Sequence, residues 1–125
     1  MDKHDLYFKK RFPKGYHKEE NNPTNEKKLL EIKALGFTGG RLLDIGCAFG
    51  FFLKKAEKLG FDVFGVDISN YALQEARKNT KAKLEISDIS NRKIPFKNTD
   101  ICTILNTLEH IPNYMNALRE VNRIL

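Results

Sequence analysis

One segment near the middle of the chain combines a short apolar run, a glycine-rich turn and a stretch with helical spacing. Residues 41–45 have the length and the apolar character of a buried strand. Gly46 and Gly50 follow, and glycine permits positive φ and close approach of a ligand to the backbone. Residues 51–59 have a helical period that Gly60 is placed to end. A strand, a glycine turn and a helix N-terminus in this order predict an α/β sheet that holds a nucleotide-like ligand at its carboxyl edge.

The spacing of the glycine turn separates two classes of ligand. A dinucleotide-binding turn has three glycines in the pattern G-x-G-x-x-G, and the third glycine allows tight packing of the helix on the strand. In this chain the second and third of those positions hold Ala48 and Phe51. The turn therefore disfavours NAD.

Two further apolar runs carry an acidic residue near their ends. Residues 61–68 contain Asp67, and an acid at the tip of the second strand can accept hydrogen bonds from both hydroxyls of a ribose. Ser69 is then placed to cap the following helix. Residues 83–89 contain Asp88. Taken alone, Asp67 could equally be a turn or capping acid, and Asp88 could begin an ordinary loop.

The ordered motifs resemble the class I S-adenosylmethionine-dependent methyltransferase family, in particular its small-molecule branch. The turn that begins at Asp44 reads Asp-x-Gly-x-Ala-x-Gly, and residues 94–112 are similar to the "lPf…fD…LeHi" stretch of that branch. The resemblance spans about residues 40 to 112. It implies a Rossmann-like three-layer αβα fold with a mostly parallel sheet in strand order 3-2-1-4.

The resemblance also implies S-adenosyl-L-methionine as the cofactor and S-adenosyl-L-homocysteine as its product. Asp67 is then expected at the ribose, Asp88 at the adenine amino group and Ile68 on the adenine ring. Asp44 would lie near the methionine moiety, although its alternative role is to hold the loop through backbone hydrogen bonds. The implied cofactor-binding residues are Asp44, Gly46, Cys47, Ala48, Gly50, Asp67, Ile68, Asp88, Ile89 and Asn106.

Methyl transfer needs little acid–base catalysis, because the sulfonium charge of S-adenosyl-L-methionine already activates the methyl group and the enzyme mainly aligns the reactants. A base is needed only where the acceptor must lose a proton. His110 is the candidate catalytic base, because histidine is the usual side chain for proton transfer near neutral pH, but a histidine in the Glu-His-Ile-Pro turn can equally be structural. No Cys/His cluster has zinc spacing, and few acids surround Glu109, so we expect no metal.

Positive charge is concentrated at the N-terminus of a chain whose net charge is +6. Residues 1–18 hold six lysines and arginines against two aspartates, with aromatic residues between them. Such a segment is compatible with RNA binding. A solvated arm, or a lid over the ligand cleft, is favoured because the rest of the chain carries little net charge and no RNA-binding module is evident. We therefore divide the chain into a basic aromatic arm at 1–22 and a methyltransferase-like domain at 23–125.

Two more helices are predicted at either end of that domain. One begins near Pro23 and ends at Gly36, with Leu29, Ile32 and Leu35 as its buried stripe. The other covers residues 113–125 and is amphipathic. The stripe expected to be buried in this last helix consists of Tyr114, Leu118, Val121 and Leu125.

The almost wholly apolar residues 101–108 predict a central fourth strand. Members of the family continue into strands five to seven, which are absent here, so we expect a truncated domain. An unpaired fourth strand exposes backbone groups at an edge, which predicts homo-oligomers through that edge, exchange of elements or a fragment of a longer product.

The sequence thus predicts methyl transfer to an unidentified, small-molecule acceptor. The alternatives are a non-catalytic, truncated cofactor-binding subunit or remnant, and an RNA methyltransferase that uses the basic arm. The N-terminus lacks a secretory signal, no apolar run reaches about 18 residues, and Cys47 and Cys102 are not expected to form a disulfide. These features predict a cytoplasmic protein without a membrane span.

Overall fold

The computed structural model describes residues 2–11, 20, 22–90, 93–105 and 107–125. Four strands form one parallel sheet in the order β3-β2-β1-β4. This order confirms the predicted Rossmann-like arrangement. The strands are β1 (Gly40–Ile45), β2 (Phe61–Asp67), β3 (Lys83–Ile86) and β4 (Ile101–Ile104).

Helices cover both faces of the sheet. The helices are α1 (Lys3–Arg11), α2 (Pro23–Ala34), α3 (Phe51–Lys58), α4 (Asn70–Asn79) and α5 (Tyr114–Ile124), with a short 3₁₀ helix at Leu108–His110. Buried side chains of α2, α3 and α4 pack with Leu42 and Val63 on one face. Buried side chains of α5 pack with Leu43 and Ile45 on the other face. The molecule therefore has three layers.

The central strand β1 explains why the first apolar run lacks alternation. Leu42 belongs to the core on one face of the sheet, whereas Leu43 belongs to the core on the other. All three of Leu42, Leu43 and Ile45 are at most 2% exposed. A parallel strand covered on both sides reads as a continuous apolar run, and this is what the sequence contains.

The predicted helix boundaries agree with the caps that the structure contains. Asn22 caps α2 by accepting a hydrogen bond from the Thr24 backbone N–H, and Ser69 caps α4 by accepting from the Ala72 N–H. Gly60 has a φ of 98° and follows Leu59, the C-cap residue of α3. Leu35, however, is 77% exposed, which contradicts its predicted place in the buried stripe. The helix ends at Ala34, so Leu35 does not follow the inward-facing residues into the core.

The buried face of α5 also differs from the prediction. Ala117, Glu120 and Ile124 face inward, whereas Leu118 is 41% exposed. Of the other three predicted residues, Tyr114 and Leu125 are 53% and 59% exposed, and Val121 is partly buried against the core. A buried polar contact sets this rotation.

That contact joins α5 to the segment before β4. The Glu120 carboxylate accepts a hydrogen bond from the Ile94 backbone N–H at 2.7 Å and pairs with Arg123. Arg123 in turn donates to the Ile94 carbonyl at 3.0 Å. A count of apolar residues along a helix cannot detect a buried carboxylate whose partner is a distant backbone amide.

The fourth strand is shorter than predicted. It ends at Ile104, which pairs with Ile45, the last residue of β1. Leu108, the predicted last residue of the strand, instead begins the 3₁₀ helix Leu108–His110. Because β1 ends at Ile45, β4 has no further partner residue on that side of the ladder.

Helix α1 was not predicted, because its composition indicated an arm. It packs against α4, while residues 12–19 and 21 lie outside the described part of the chain. The domain boundary between residues 22 and 23 therefore stays a prediction. None of the helices in the described ranges is both long and apolar enough to span a membrane.

Gly65 offers a test of how tightly α3 and β3 pack on β2. A Cβ atom there would lie 2.7 Å from Leu53 Cδ1 and 2.8 Å from Leu84 Cδ2. We expect Gly65→Ala to lower the free energy of unfolding by about 1–3 kcal/mol, because an added methyl group overpacks a filled core. Urea denaturation measures this.

Gly39→Ala is the matched control, since the nearest atom to its Cβ would be the Gly60 carbonyl oxygen at 3.8 Å. It should change stability by about 0.5 kcal/mol or less. Equal losses in the two variants would contradict the packing described here.

Candidate functional site

The glycine turn crosses from β1 toward β2. The backbone N–H groups of Gly46 and Cys47 both donate to the Val66 carbonyl, at 2.8 and 3.1 Å. Gly46 and Gly50 have φ values of 76° and 79°, which favour glycine. A Cβ on Gly46 would also overlap the Thr107 side chain. Both glycines are therefore required by the turn itself.

The turn brings a strained residue against the acid that ends β2. Ala48 has a φ of 49°, an uncommon value for a residue with a side chain. In this conformation its N–H donates to Asp67 Oδ2 at 2.9 Å, and the Ser69 N–H donates to Asp67 Oδ1 at 2.9 Å. One carboxylate thus ties the turn after β1 to the turn after β2.

The Asp67 carboxyl is only 5% exposed. Burial raises its pKa, while the hydrogen bonds from the Ser69 and Ala48 N–H groups act in the opposite direction. Each carboxylate oxygen accepts one of these two bonds and keeps further acceptor capacity. A ligand with two neighbouring hydroxyl groups can donate one hydrogen bond to each of the two oxygens.

Asp44 is a second buried acid and lies on β1. It is 3% exposed, and its Oδ1 accepts a hydrogen bond from the Thr103 hydroxyl of β4 at 2.7 Å. Burial, together with the neighbouring charge of Asp67, raises the pKa of Asp44 to about 7, although the Thr103 hydrogen bond opposes the shift. Asp44 thus joins two strands through a side-chain contact with β4.

The two predicted site residues after β3 have different surroundings: Asp88 lies in a loop, and Ile89 lies in the core. The Ser87 N–H donates to the Asp67 carbonyl at 3.0 Å, so the segment that follows runs beside the end of β2. Asp88 Oδ1 accepts from the N–H and the hydroxyl of Ser90, at 3.1 and 2.5 Å. The Ile89 side chain is buried in the core, whereas Ile68 is 36% exposed at the site.

Two predicted site residues remain, Asn106 and His110. Asn106 lies outside the described residues. His110 is exposed in the 3₁₀ helix, and its backbone N–H donates to the Thr107 carbonyl at 2.9 Å. Its role as a base stays a prediction. Among the described residues, no cluster of three or more His, Cys, Asp or Glu side chains could hold a metal ion.

Both cysteines are free thiols that pack on opposite faces of the sheet. Burial raises the pKa of Cys47 well above its usual value. Burial also raises the pKa of Cys102 to about 12. They therefore pack as neutral side chains, and they do not form a disulfide, as the sequence predicts.

Sequence reasoning missed Asp5 in helix α1. Its carboxylate accepts hydrogen bonds from the Ser69 hydroxyl at 2.5 Å and the Tyr71 N–H at 3.1 Å. The available signal was Asp2, which accepts from the His4 N–H at 2.7 Å, followed by an acid in the first turn. An acidic residue at each of these positions is typical of a helix start.

A cavity of about 230 Å³ lies beside the carboxyl end of β4. Its walls include Ile104 and Leu105 from that end and Thr24 and Lys28 from α2. It opens at the same sheet edge as the glycine turn, because all four strands are parallel. The cavity and the glycine turn therefore lie at the same edge of the sheet.

The chain matches the family described as "Methyltransferase domain" over residues 43–125. It is also 30% identical over 110 residues to a ubiquinone biosynthesis O-methyltransferase of Aliivibrio fischeri. That match covers 83% of this chain and 47% of the relative. The chain spans less than half the length of the curated relatives it matches.

Solved structures show the same fold. An S-adenosylmethionine-dependent methyltransferase from Mesorhizobium loti superposes with a TM-score of 0.67 and 27% identity, over 78% of this chain and 48% of that one. A magnesium protoporphyrin IX methyltransferase from Synechocystis, solved with bound S-adenosylmethionine, superposes with a TM-score of 0.70 and 20% identity. That match covers 84% of this chain and 54% of the other.

The raised pKa of Asp44 predicts a pH-dependent stability. In the folded protein the pKa of Asp44 is about 7, against the ordinary value of 3.8 that applies to the unfolded chain. Between these two pH values the folded state therefore keeps a proton that the unfolded chain has released. Stability should therefore fall as the pH rises from about 4 to about 7. Asparagine cannot ionise and can still accept from Thr103.

We expect Asp44→Asn to stabilise the protein relative to wild type by roughly 1–3 kcal/mol more at pH 8 than at pH 5. Urea denaturation at the two pH values measures the difference. Asp62→Asn, at an exposed position of β2, is the control. A stability difference for Asp44→Asn that does not vary with pH would contradict the assignment.

Proposed function

The chain belongs to the class I S-adenosylmethionine-dependent methyltransferase family, and we propose that it binds S-adenosylmethionine and serves methyl transfer to a small-molecule acceptor. The observation that carries this proposal is the Asp67 carboxylate at the tip of β2, held by N–H groups from two turns. The family match, which spans residues 43–125, supports the same activity.

The residues present fit the cofactor. Asp67 retains acceptor capacity on both oxygens, which suits the two hydroxyls of a ribose. The glycine turn ends at the N-terminus of α3 without a glycine fingerprint for pyrophosphate, which suits a ligand lacking phosphate. Ile68 offers an exposed apolar side chain beside Asp67 for the adenine ring.

We assign the other parts of the cofactor to neighbouring groups. Asp88 is proposed to accept from the adenine amino group, although in this structure it also accepts from Ser90. The turn from Gly46 to Gly50 is proposed to contact the methionine moiety together with Asn106. The anionic form of Asp44 would favour the positive charges of that moiety.

When bound, S-adenosylmethionine supplies a methyl group that the sulfonium charge has already activated. The protein residues therefore mainly orient the ligand and exclude water from it. Burial of Asp67 and Asp44 is consistent with a site that admits little water. Where the acceptor must lose a proton, His110 is the proposed base, since it lies exposed just beyond β4.

We propose the cavity between α2 and the end of β4 as the acceptor region. Its walls are apolar at Ile104 and Leu105 and polar at Thr24 and Lys28, whose ammonium also pairs with Glu31 at 3.3 Å. This lining suits an apolar molecule that carries a polar group. The relatives named as ubiquinone biosynthesis O-methyltransferases make hydroxyl-bearing aromatic acceptors the first class to test.

Two other features of the proposal concern assembly and location. The β4 edge of the sheet carries four half-buried residues, and we retain the prediction that copies associate through it. Size-exclusion chromatography with light scattering tests this, and a monomer at all concentrations would exclude it. Two unpaired thiols agree with the predicted reducing, cytoplasmic compartment.

An RNA acceptor is the second candidate because α1 ends in Lys9, Lys10 and Arg11, all exposed. This candidate predicts RNA binding that weakens steeply with salt and is lost on removal of residues 1–18. The non-catalytic alternative predicts cofactor binding without turnover on any acceptor.

The first prediction of the proposal is cofactor binding by the purified chain. Isothermal titration should show binding of S-adenosylhomocysteine and no comparable binding of NAD. Asp67→Ala should weaken the first ligand at least about tenfold, because charge-assisted hydrogen bonds to the ribose are lost. Asp62→Ala, on the same strand and exposed, should bind like wild type.

Circular dichroism keeps this test independent of folding, since Asp67 also holds two turns. Asp67→Asn, which retains one acceptor oxygen, is the second variant and should bind with intermediate affinity. A folded wild-type chain that binds no S-adenosylhomocysteine would overturn the proposal for this chain.

Turnover is the second prediction. Transfer of a labelled methyl group should be found with small hydroxyl-bearing aromatic acceptors and not with RNA. His110→Gln should lower kcat about 10²-fold or more while leaving the affinity for S-adenosylhomocysteine unchanged. Equal kcat in the variant would assign His110 a structural role.

A further inference from the structure

Helix α1 lies against the two segments that hold Asp67. Asp5 contacts the beginning of α4, where its carboxylate accepts from the Ser69 hydroxyl at 2.5 Å and from the Tyr71 N–H at 3.1 Å. Ser69 is fully buried and also donates its own N–H to Asp67. Asp5 is therefore connected to Asp67 through one intervening residue.

One helical turn further on, α1 contacts the glycine turn. The ring centroids of Phe8 and Phe49 are 5.4 Å apart, and that of Tyr71 lies 6.1 Å from Phe49. Phe49 is 2% exposed and directly follows Ala48, the other donor to Asp67. The Lys9 ammonium lies 5.2 Å from the centroid of the Tyr71 ring.

The first turn of α1 is also electrostatically close to Asp67. Burial raises the pKa of Asp67, and the charge of a protonated His4 opposes this shift as the smallest of the contributions. The Ser69 hydroxyl donates to Asp5 and accepts from the Ala72 N–H at 3.1 Å, which fixes its rotamer. The position of the Ser69 N–H, and with it one oxygen of Asp67, is therefore set partly from α1.

We propose that α1 forms a wall of the cofactor site and that Asp5 is a positioning residue, which holds the segment from Asp67 to Tyr71 in place for the ribose. The inference rests on the proposed binding of S-adenosylmethionine. It assigns to the basic N-terminal segment a role in ligand binding, and it identifies Asp5 as the functional group of that segment.

Ligand binding by Asp5 variants tests the role of this contact. Asp5→Ala removes both hydrogen bonds and should lower the affinity for S-adenosylhomocysteine about tenfold. Asp5→Asn keeps an acceptor oxygen and should restore part of the affinity. Asp2→Asn removes the same charge from the same helix and keeps its capping oxygen, so it should bind like wild type.

A ligand without ribose hydroxyls separates positioning from a general loss of structure. Wild type should bind the 2′,3′-dideoxy analogue of S-adenosylhomocysteine much more weakly than the parent ligand. In Asp5→Ala the ratio of the two affinities should be about tenfold smaller than in wild type, because the variant loses affinity only for the ligand whose ribose hydroxyls Asp67 binds. An equal penalty for both ligands in Asp5→Ala would assign Asp5 a merely structural role and overturn the inference.

Limited proteolysis tests the wall directly in the unmodified protein. Trypsin cleavage after Lys9, Lys10 and Arg11 should slow at least about fivefold with saturating S-adenosylhomocysteine, since a ligand that contacts the packed helix α1 stabilises that packing. Unchanged cleavage would count against the wall. A wild-type chain that binds no ligand overturns the proposed function as well, whereas normal binding by Asp5→Ala overturns this inference alone.

Discussion

The site depends on one buried carboxylate that is shared between two turns. Asp67 accepts the N–H of Ala48 from the turn after β1 and the N–H of Ser69 from the turn after β2. Removing a carboxylate from water is costly unless hydrogen bonds compensate it, and the two N–H groups provide that compensation. The unusual backbone conformation of Ala48 serves the same contact. The shape of the carboxyl edge therefore follows from satisfying one charge.

A second buried acid, Asp44, lies close enough to Asp67 for the two charges to repel each other. Asp44 lies within the sheet, bonded to Thr103, and the charge of Asp67 contributes to its raised pKa. Two buried carboxylates in one site favour a cationic ligand, because a nearby positive charge stabilises the ionised form of both. The sulfonium and ammonium groups of S-adenosylmethionine carry such charges, so the proposed ligand agrees with the electrostatics as well as with the hydrogen bonds.

Helix α1 changes the picture of the N-terminal segment. Composition alone indicated a basic arm, for which nucleic acid was one partner. In the structure its inward side contributes Asp5 and Phe8 to contacts with Ser69 and Phe49, whereas its exposed side carries the lysines. Fold and site are thus linked by a segment that precedes the matched family region.

The sequence by itself determined the strands, their order through the family resemblance, the glycine turn, the caps at Asn22 and Ser69 and the acid at Asp67. These features depend on local rules, namely apolar runs, glycine conformations and short-range capping. Tertiary structure alone decided the rotation of α5, the end of β4 and the place of α1. Each of these depends on a contact between distant residues: Glu120 with Ile94, Ile104 with Ile45, and Asp5 with Ser69. Partners separated by many residues leave no periodic trace in either segment, because each pairing becomes favourable only after the chain has folded.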